Sequence, residues 1–270
     1  MTDLSPARVS LAQLRKLDQD GIARAIGMGQ ALVDAQAQRL FFSIYPDEDS
    51  PWLGPTVLDG LIEQGQTLHS RHKYQQHLEF FRRGAEFSER AFMAANRCGK
   101  TFSGGGYEMA CHLTGLYPDW WEGRRFHRPI SAWAAGDTNE TTRDIIQLNL
   151  LGKTRTNAFT GRREMDGRGI IPGHTIGKPR WKSGVIDFID SVPVRHVSGG
   201  WSVLGFKSYV QGRLSFQGTA RHVIWLDEAC PEEIYDECLI RTTTTHGIIM
   251  LTFTPIEGMT PLAMSFLPKE

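Results

Sequence analysis

The sequence predicts an α/β domain with a mainly parallel sheet, on three observations. From residue 89 onward, short apolar runs alternate with stretches of helical periodicity. Those runs are apolar throughout and not on alternate positions, the pattern of strands covered on both faces. Every cluster of chemistry-bearing residues falls at the carboxyl end of such a run, where ligands sit in open α/β sheets.

In chain order, residues 7–42 read as helical, with Leu11, Leu14, Leu17, Ile22, Ala25 and Ile26 at steps of roughly three or four. YPDEDSPWLGP, residues 45–55, brings three prolines and a cluster of acids and reads as a loop or linker. Helical patterning resumes over 58–83. The expected division is therefore a helical N-terminal lid or docking segment, 1–57, ahead of a main domain, 58–270.

Within the main domain RAFMAAN (90–96) is a buried strand and GGYEMACHLTG (105–115) a helix. ISAWAAG (130–136) is a second strand. The helix over 139–152 follows, with Thr138 or Asn139 as its cap. A glycine- and arginine-rich loop spans 153–184. GVIDFID (184–190), WSVLGFKSY (201–209) and HVIWLDEA (222–229) are further strands, PEEIYDECLIRTT (231–243) a helix with proline in its first turn, and GIIMLTFTP (247–255) the last strand.

Composition narrows the class. Hydrophobic content of 40% and charged content of 22% are ordinary for a globular chain, and the net charge is zero. A broad nucleic-acid grip usually needs a basic surface, so any such contact here rests on a local patch. The four cysteines form no CxxC pair, which reads as reduced thiols in a cytosolic protein. The N-terminus lacks an apolar signal core, and no run of about 18 apolar residues exists to span a membrane.

AANRCGKTFSGGG, residues 94–106, carries the first site. A phosphate-binding loop is strand, G-x-x-x-x-G-K-[ST], helix, with backbone N–H groups and the helix N-terminus aimed at the anion. Ala94 stands at the first glycine position, where a strand-ending residue needs no left-handed backbone. Ala95, Asn96, Arg97, Cys98, Gly99 and Phe102 would surround the nucleotide, Lys100 would bridge its β- and γ-phosphates, and the Thr101 hydroxyl would ligate Mg²⁺. The three glycines that follow suit close packing of the helix on the sheet.

Asp227 and Glu228, at the carboxyl end of an apolar strand, supply the second half. Paired carboxylates there are costly unless a cation joins them. Asp227 would hold Mg²⁺ and Glu228 would polarise the attacking water. Thr252 and Thr254 alternate at the end of the last strand, where polar residues can sense the γ-phosphate and couple hydrolysis to movement. Tyr74, with Gln75 or Gln76, would read the adenine. Arg97 is the nearest candidate for a charge-stabilising arginine; Arg124, Arg125, Arg128 and Arg213 are more distant ones. The histidines show no metal-binding spacing, so no metal beyond Mg²⁺ is expected.

FMAANRCGKT, GYEMACHLTGLYPDWWEGRRF, QGRLSFQGTARHVIWLDEA and LTFTP together resemble the ATPase portion of the large terminase subunits of tailed bacteriophages, over about residues 60–265. The resemblance implies a RecA-like fold using ATP and Mg²⁺. It implies a ring of copies, pentameric during packaging, that docks on the portal of a procapsid in the host cytoplasm and drives double-stranded viral DNA inward, with a small terminase subunit as partner. Family members carry an arginine three places before the last loop glycine; here Asn96 holds that place and Arg97 follows. The finger then acts in cis from Arg97 or in trans from a neighbouring copy. The two-metal nuclease domain of the family has no counterpart before Glu270, so no nuclease activity is expected of this chain. Alternatives are a helicase-like nucleic-acid motor and a nucleotide-bound docking module with little turnover.

Overall fold

The computed structural model describes residues 24, 27–29, 31, 41–51, 66–157, 160–255, 258 and 260–267. Most of the helical segment expected over 1–57 lies outside the described residues. Two short antiparallel strands, β1 (Ser50–Pro51) and β2 (Thr67–Leu68), precede helix α1 (Gln75–Arg83). Strand β3 (Glu89–Met93) leads into helix α2, which begins as a wide turn over Lys100–Gly106 and continues as Tyr107–Thr114. Then come β4 (Ser131–Gly136) and helix α3, continuous through Asn139–Thr141, Thr142–Gln147 and Leu148–Leu151. Thr138 caps α3 by accepting from the Thr141 N–H. A hairpin of β5 (Thr154–Thr156) and β6 (Arg163–Met165) occupies part of the expected loop. β7 (Arg180–Trp181), β8 (Ile189–Arg195), β9 (Trp201–Ser208) and β10 (Val223–Asp227) follow. Helix α4 (Glu232–Thr243), strand β11 (Ile248–Phe253) and helix α5 (Pro261–Ser265) come last.

The central sheet has the order β3-β11-β10-β4-β9-β8-β7. The first five strands are parallel, and β8 and β7 are antiparallel additions at one edge. This is the mainly parallel α/β arrangement the sequence points to. The last strand in sequence, β11, lies between β3 and β10, so the ends of these three strands are neighbours. Alternate residues of β10 feed two cores: Val223 and Trp225 face Tyr107 and the α2 side, while Ile224 and Leu226 face Tyr235, Cys238 and Phe216.

Helix α2 lies very close to the sheet. A Cβ on Gly105 would come 2.3 Å from Trp225 Nε1, and one on Gly104 would come 3.1 Å from Phe92 Cδ1. Beneath it, Arg90 of β3 is buried against Glu108 of α2, with guanidinium nitrogens 2.7 and 3.1 Å from the carboxylate oxygens, and His112 Nε2 lies 3.1 Å from the same carboxylate.

Three expectations change. Of the helical stretch expected over 58–83, the part up to 65 lies outside the described residues, Thr67–Leu68 is strand β2, and the α-helix begins only at Gln75. Residues 45–51 are not a free linker. Phe41 stacks on Tyr107 at 4.9 Å and Tyr45 meets the same ring edge-on at 5.0 Å, so both belong to the main core. The strand expected over 184–190 begins only at Ile189. Gln147 takes the backbone there, donating to Asp187 O and accepting from Ile189 N, both at 2.8 Å, in place of a sheet ladder. The strand then runs through Pro193, whose carbonyl accepts from Gly177 on the side away from β9. The missing N–H falls on that same outer side, where proline is tolerated.

Candidate active site

Strand β3 delivers the chain to the loop 94–99. Ala94 N still donates to Phe253 O at 3.3 Å, so this residue is the last rung of the ladder and has no need to be glycine. Arg97 and Gly99 both have left-handed backbones, φ 64° and 79°, the kind of backbone from which anion-binding concavities are made. Glycine adopts it without strain; arginine does not. Gly99 O accepts from both Ser103 N and Gly104 N, which widens the first turn of α2. Lys100 is buried, and its Nζ lies 3.8 Å from Glu228 Oε1.

The carboxyl end of β10 meets this loop from behind. Asp227 Oδ1 accepts from the Thr101 hydroxyl at 3.1 Å and from the Thr252 hydroxyl at 2.5 Å. Trp225 Nε1 donates to Thr252 Oγ1 at 2.7 Å, which orients the threonine proton toward the aspartate. Burial pushes the Asp227 carboxyl up to about 7; the neighbouring Glu228 adds to the rise, while Thr252, Thr101 and Lys100 oppose it. Glu228 also has a left-handed backbone, φ 63°, held by its N–H donating to Thr252 O at 2.8 Å, and its carboxylate is half-exposed. Thr254 reaches the other way, donating to Asn96 Oδ1 at 2.9 Å.

Beside the loop is a cavity of about 1120 Å³. Its wall includes Arg97, Cys98, Gly99, Lys100, Thr101 and Phe102 from the loop and α2, together with Tyr74. Ala95 O accepts from Cys98 Sγ at 2.8 Å, a contact internal to the loop. Gln75 is not in the wall; its Nε2 donates to His72 O at 2.8 Å at the start of α1. The glutamine that lines the cavity is Gln66, next to β2. Asp227 reaches the loop through Thr101 and not through the cavity wall.

Two site residues carried no signal in the sequence. His77 Nε2 lies 2.9 Å from Cys98 O, and Tyr45 OH lies 2.7 Å from both His77 Nδ1 and Ser103 O. Scattered histidines and a tyrosine beside a proline have no spacing rule that marks them. Among the described residues no cluster of three or more His, Cys, Asp or Glu could hold a metal, and no helix is long and apolar enough to cross a membrane.

Comparison with known proteins places the chain in a family. The family model for "Terminase large subunit, T4likevirus-type, N-terminal" matches residues 91–270. The large terminase subunit of Salmonella phage P22 is 35% identical over 232 residues, covering 77% of this chain and 45% of that protein. The chain thus spans a little under half the length of that curated relative. Among solved structures, the large terminase of a thermophilic bacteriophage in complex with ADP aligns over 67% of this chain and 38% of its own, at 13% identity and a TM-score of 0.41. The large terminase ATPase domain of Thermus phage P74-26 aligns over 61% of this chain and 58% of its own, at 13% identity and a TM-score of 0.39. With two thirds of its residues matched by the family model, the chain belongs to the family of large terminase subunits.

Proposed function

We propose that this chain binds ATP with Mg²⁺, hydrolyses it, and uses the hydrolysis to drive double-stranded viral DNA into a procapsid. The observation that carries the reading is the convergence of Lys100, Thr101, Asp227 and Glu228, from strand ends 126 positions apart for the Thr101–Asp227 contact. The donor set fits magnesium: one hydroxyl and one buried carboxylate beside an anion-binding loop suit an ion that takes few protein ligands and fills its octahedron with phosphate oxygens and water. A carboxylate whose pKa is raised by burial is also one that a cation would return to its charged form. When bound, the ion would neutralise phosphate charge as the γ-phosphoryl group leaves.

The chain's own residues divide the remaining work. Lys100 faces Glu228 and would exchange it for the β- and γ-phosphates, releasing the Glu228 carboxylate to orient the attacking water in line. Thr101 and Asp227 would hold the metal. Arg97, exposed on the cavity wall, would stabilise charge in cis, unless an arginine from a neighbouring copy does so in trans. Tyr74 offers an aromatic surface for the base. Thr252 and Thr254 would carry phosphate release outward. The fuller assembly in this reading comprises a pentameric ring of copies, the portal, the small terminase subunit and DNA, in the host cytoplasm.

Glu228→Gln tests the reading. ATP binding is expected to persist while turnover falls by about 100-fold or more, and double-stranded DNA is expected to stimulate the wild type only. Failure of the wild type to bind ATP sinks the proposal.

A further inference from the structure

His77 stands directly behind the phosphate loop. A Cβ on Gly99 would lie 3.2 Å from its Cε1, Tyr74 stacks on its ring at 5.4 Å, and Phe92 of β3 meets it edge-on at 5.1 Å. Together with Tyr45 it grips the phosphate-binding turn at both ends, at Cys98 O before Gly99 and at Ser103 O after Thr101.

The protons in this grip can be counted. Both carbonyls only accept. The Cys98 contact therefore takes the Nε2–H, and the Ser103 contact takes the Tyr45 hydroxyl proton. The 2.7 Å contact between Tyr45 oxygen and His77 Nδ1 then has no proton unless the imidazole carries a second one. A neutral ring supplies two protons for three contacts, and an imidazolium supplies three.

We infer that Tyr45 and His77 are positioning residues that clamp the phosphate loop, and that the clamp closes by taking up one proton on His77 Nδ1 when nucleotide phosphates reach the loop. The inference rests on the nucleotide reading above. Without ligand, burial lowers the His77 pKa, against the opposing pull of the Cys98 carbonyl. The groups around it are Tyr45, Tyr74 and Cys98; the same cavity wall holds the Arg97, Lys100 and Lys153 cations, the Asp144 carboxylate and His69, and Glu108 and Cys111 of α2 act on Tyr45. No described carboxylate pairs with His77. Bound phosphates would offset the nearby Arg97 and Lys100 cations and add negative charge beside the ring, which favours its charged form. By reciprocity, nucleotide binds more tightly as pH falls through the His77 titration.

The test is calorimetric titration of the full chain with ADP and Mg²⁺, at about pH 7.5, in two buffers of different ionisation enthalpy. His77→Gln keeps a donor for Cys98 but cannot supply the Nδ1 proton or titrate. The wild type is expected to take up a large part of one proton more per ADP than His77→Gln or Tyr45→Phe; the titration of ADP itself cancels in the difference. Equal proton uptake in proteins that all bind ADP overturns the clamp. Should the variants not fold, the ¹⁵N shifts of the wild-type His77 ring decide: an imidazolium pattern in the ADP complex supports the clamp, and a neutral one overturns it. If the wild type gives no binding heat and no shift with ADP, the nucleotide reading itself falls, an outcome separate from equal uptake.

Discussion

The Thr254 hydroxyl donates to Asn96 Oδ1 at 2.9 Å, joining the end of β11 to the loop 94–99 across 158 residues of sequence. Asn96 occupies the place where the family resemblance puts an arginine, and here it serves as an acceptor for the strand proposed to couple hydrolysis to movement. Thr254→Val keeps the shape and removes the donor. Basal ATP turnover is expected to stay within about threefold, since one neutral hydrogen bond contributes about 1 kcal/mol. Stimulation by double-stranded DNA is expected to fall. Asn96→Ala should reproduce the defect, and the double variant should add little to either single one. Steady-state assays showing additive losses would count against a shared path.

Asp227 predicts a pH signature in the absence of nucleotide and metal. Its folded pKa, about 7, lies above the ordinary value of 3.8, so the stability it confers is complete below that ordinary value and is lost as pH rises through about 7. Asp227→Asn keeps an acceptor for Thr101 and Thr252 and removes the charge. At about pH 8 the variant is expected to be more stable than the wild type, by up to about 4 kcal/mol from the size of the shift. The difference should shrink as pH falls toward about 4. Urea unfolding at several pH values measures this, and equal stability at high pH contradicts it. Added Mg²⁺ and ADP should stabilise the wild type and not the variant.

Much of this site is legible in the sequence because its parts are local. Gly99-Lys100-Thr101 sits between a strand and a helix, and Asp227-Glu228 ends an apolar run; each signal fits inside one supersecondary unit. What was not legible is long-range. Nothing near Gln75 shows that its amide is used by His72, or that Gln66 will reach the cavity instead. Tyr45 sits in a proline-rich stretch that reads as linker, yet it is buried against Tyr107 because the α2 helix offers it an aromatic face. The strand over 184–190 was displaced by a single side chain, Gln147, acting from 40 positions away.

Gly105 should tolerate no side chain. A methyl group there would lie 2.3 Å from Trp225 Nε1 and 2.4 Å from its Cε2, and this indole is fully buried. The same Nε1 donates to Thr252, which donates to Asp227, so displacing the ring disturbs the carboxylate proposed to hold Mg²⁺. Gly105→Ala gains about 1 kcal/mol in helix propensity but overpacks the core at a cost of about 1–3 kcal/mol. Net destabilisation is expected, with weakened Mg²⁺-dependent nucleotide binding. Gly104→Ala, 3.1 Å from Phe92, should be milder. Guanidinium unfolding of the two variants checks the order, and a stabilised Gly105→Ala contradicts the packing described.

Arg90 and Glu108 fasten β3 to α2 on either side of the loop 94–99, and both are buried. Burial alone would raise the Glu108 pKa, but Arg90 and His112 outweigh it and hold the carboxyl below its ordinary value. The stability contributed by this group is therefore present above the unfolded carboxyl pKa and lost as pH falls through the folded one, at the acid end of the range. Glu108→Gln leaves the Arg90 charge buried without its counter-ion and is expected to cost about 3–5 kcal/mol. Arg90→Met with Glu108→Met removes both charges, and such apolar replacements are often close to neutral. The double variant should therefore be more stable than Glu108→Gln despite having lost every hydrogen bond of the pair. It should also retain ADP binding, because the pair holds the strand and helix in register and touches no part of the cavity. Unfolding free energies that place the double variant below Glu108→Gln would mean that the hydrogen bonds, and not the balance of buried charge, fix the position of α2.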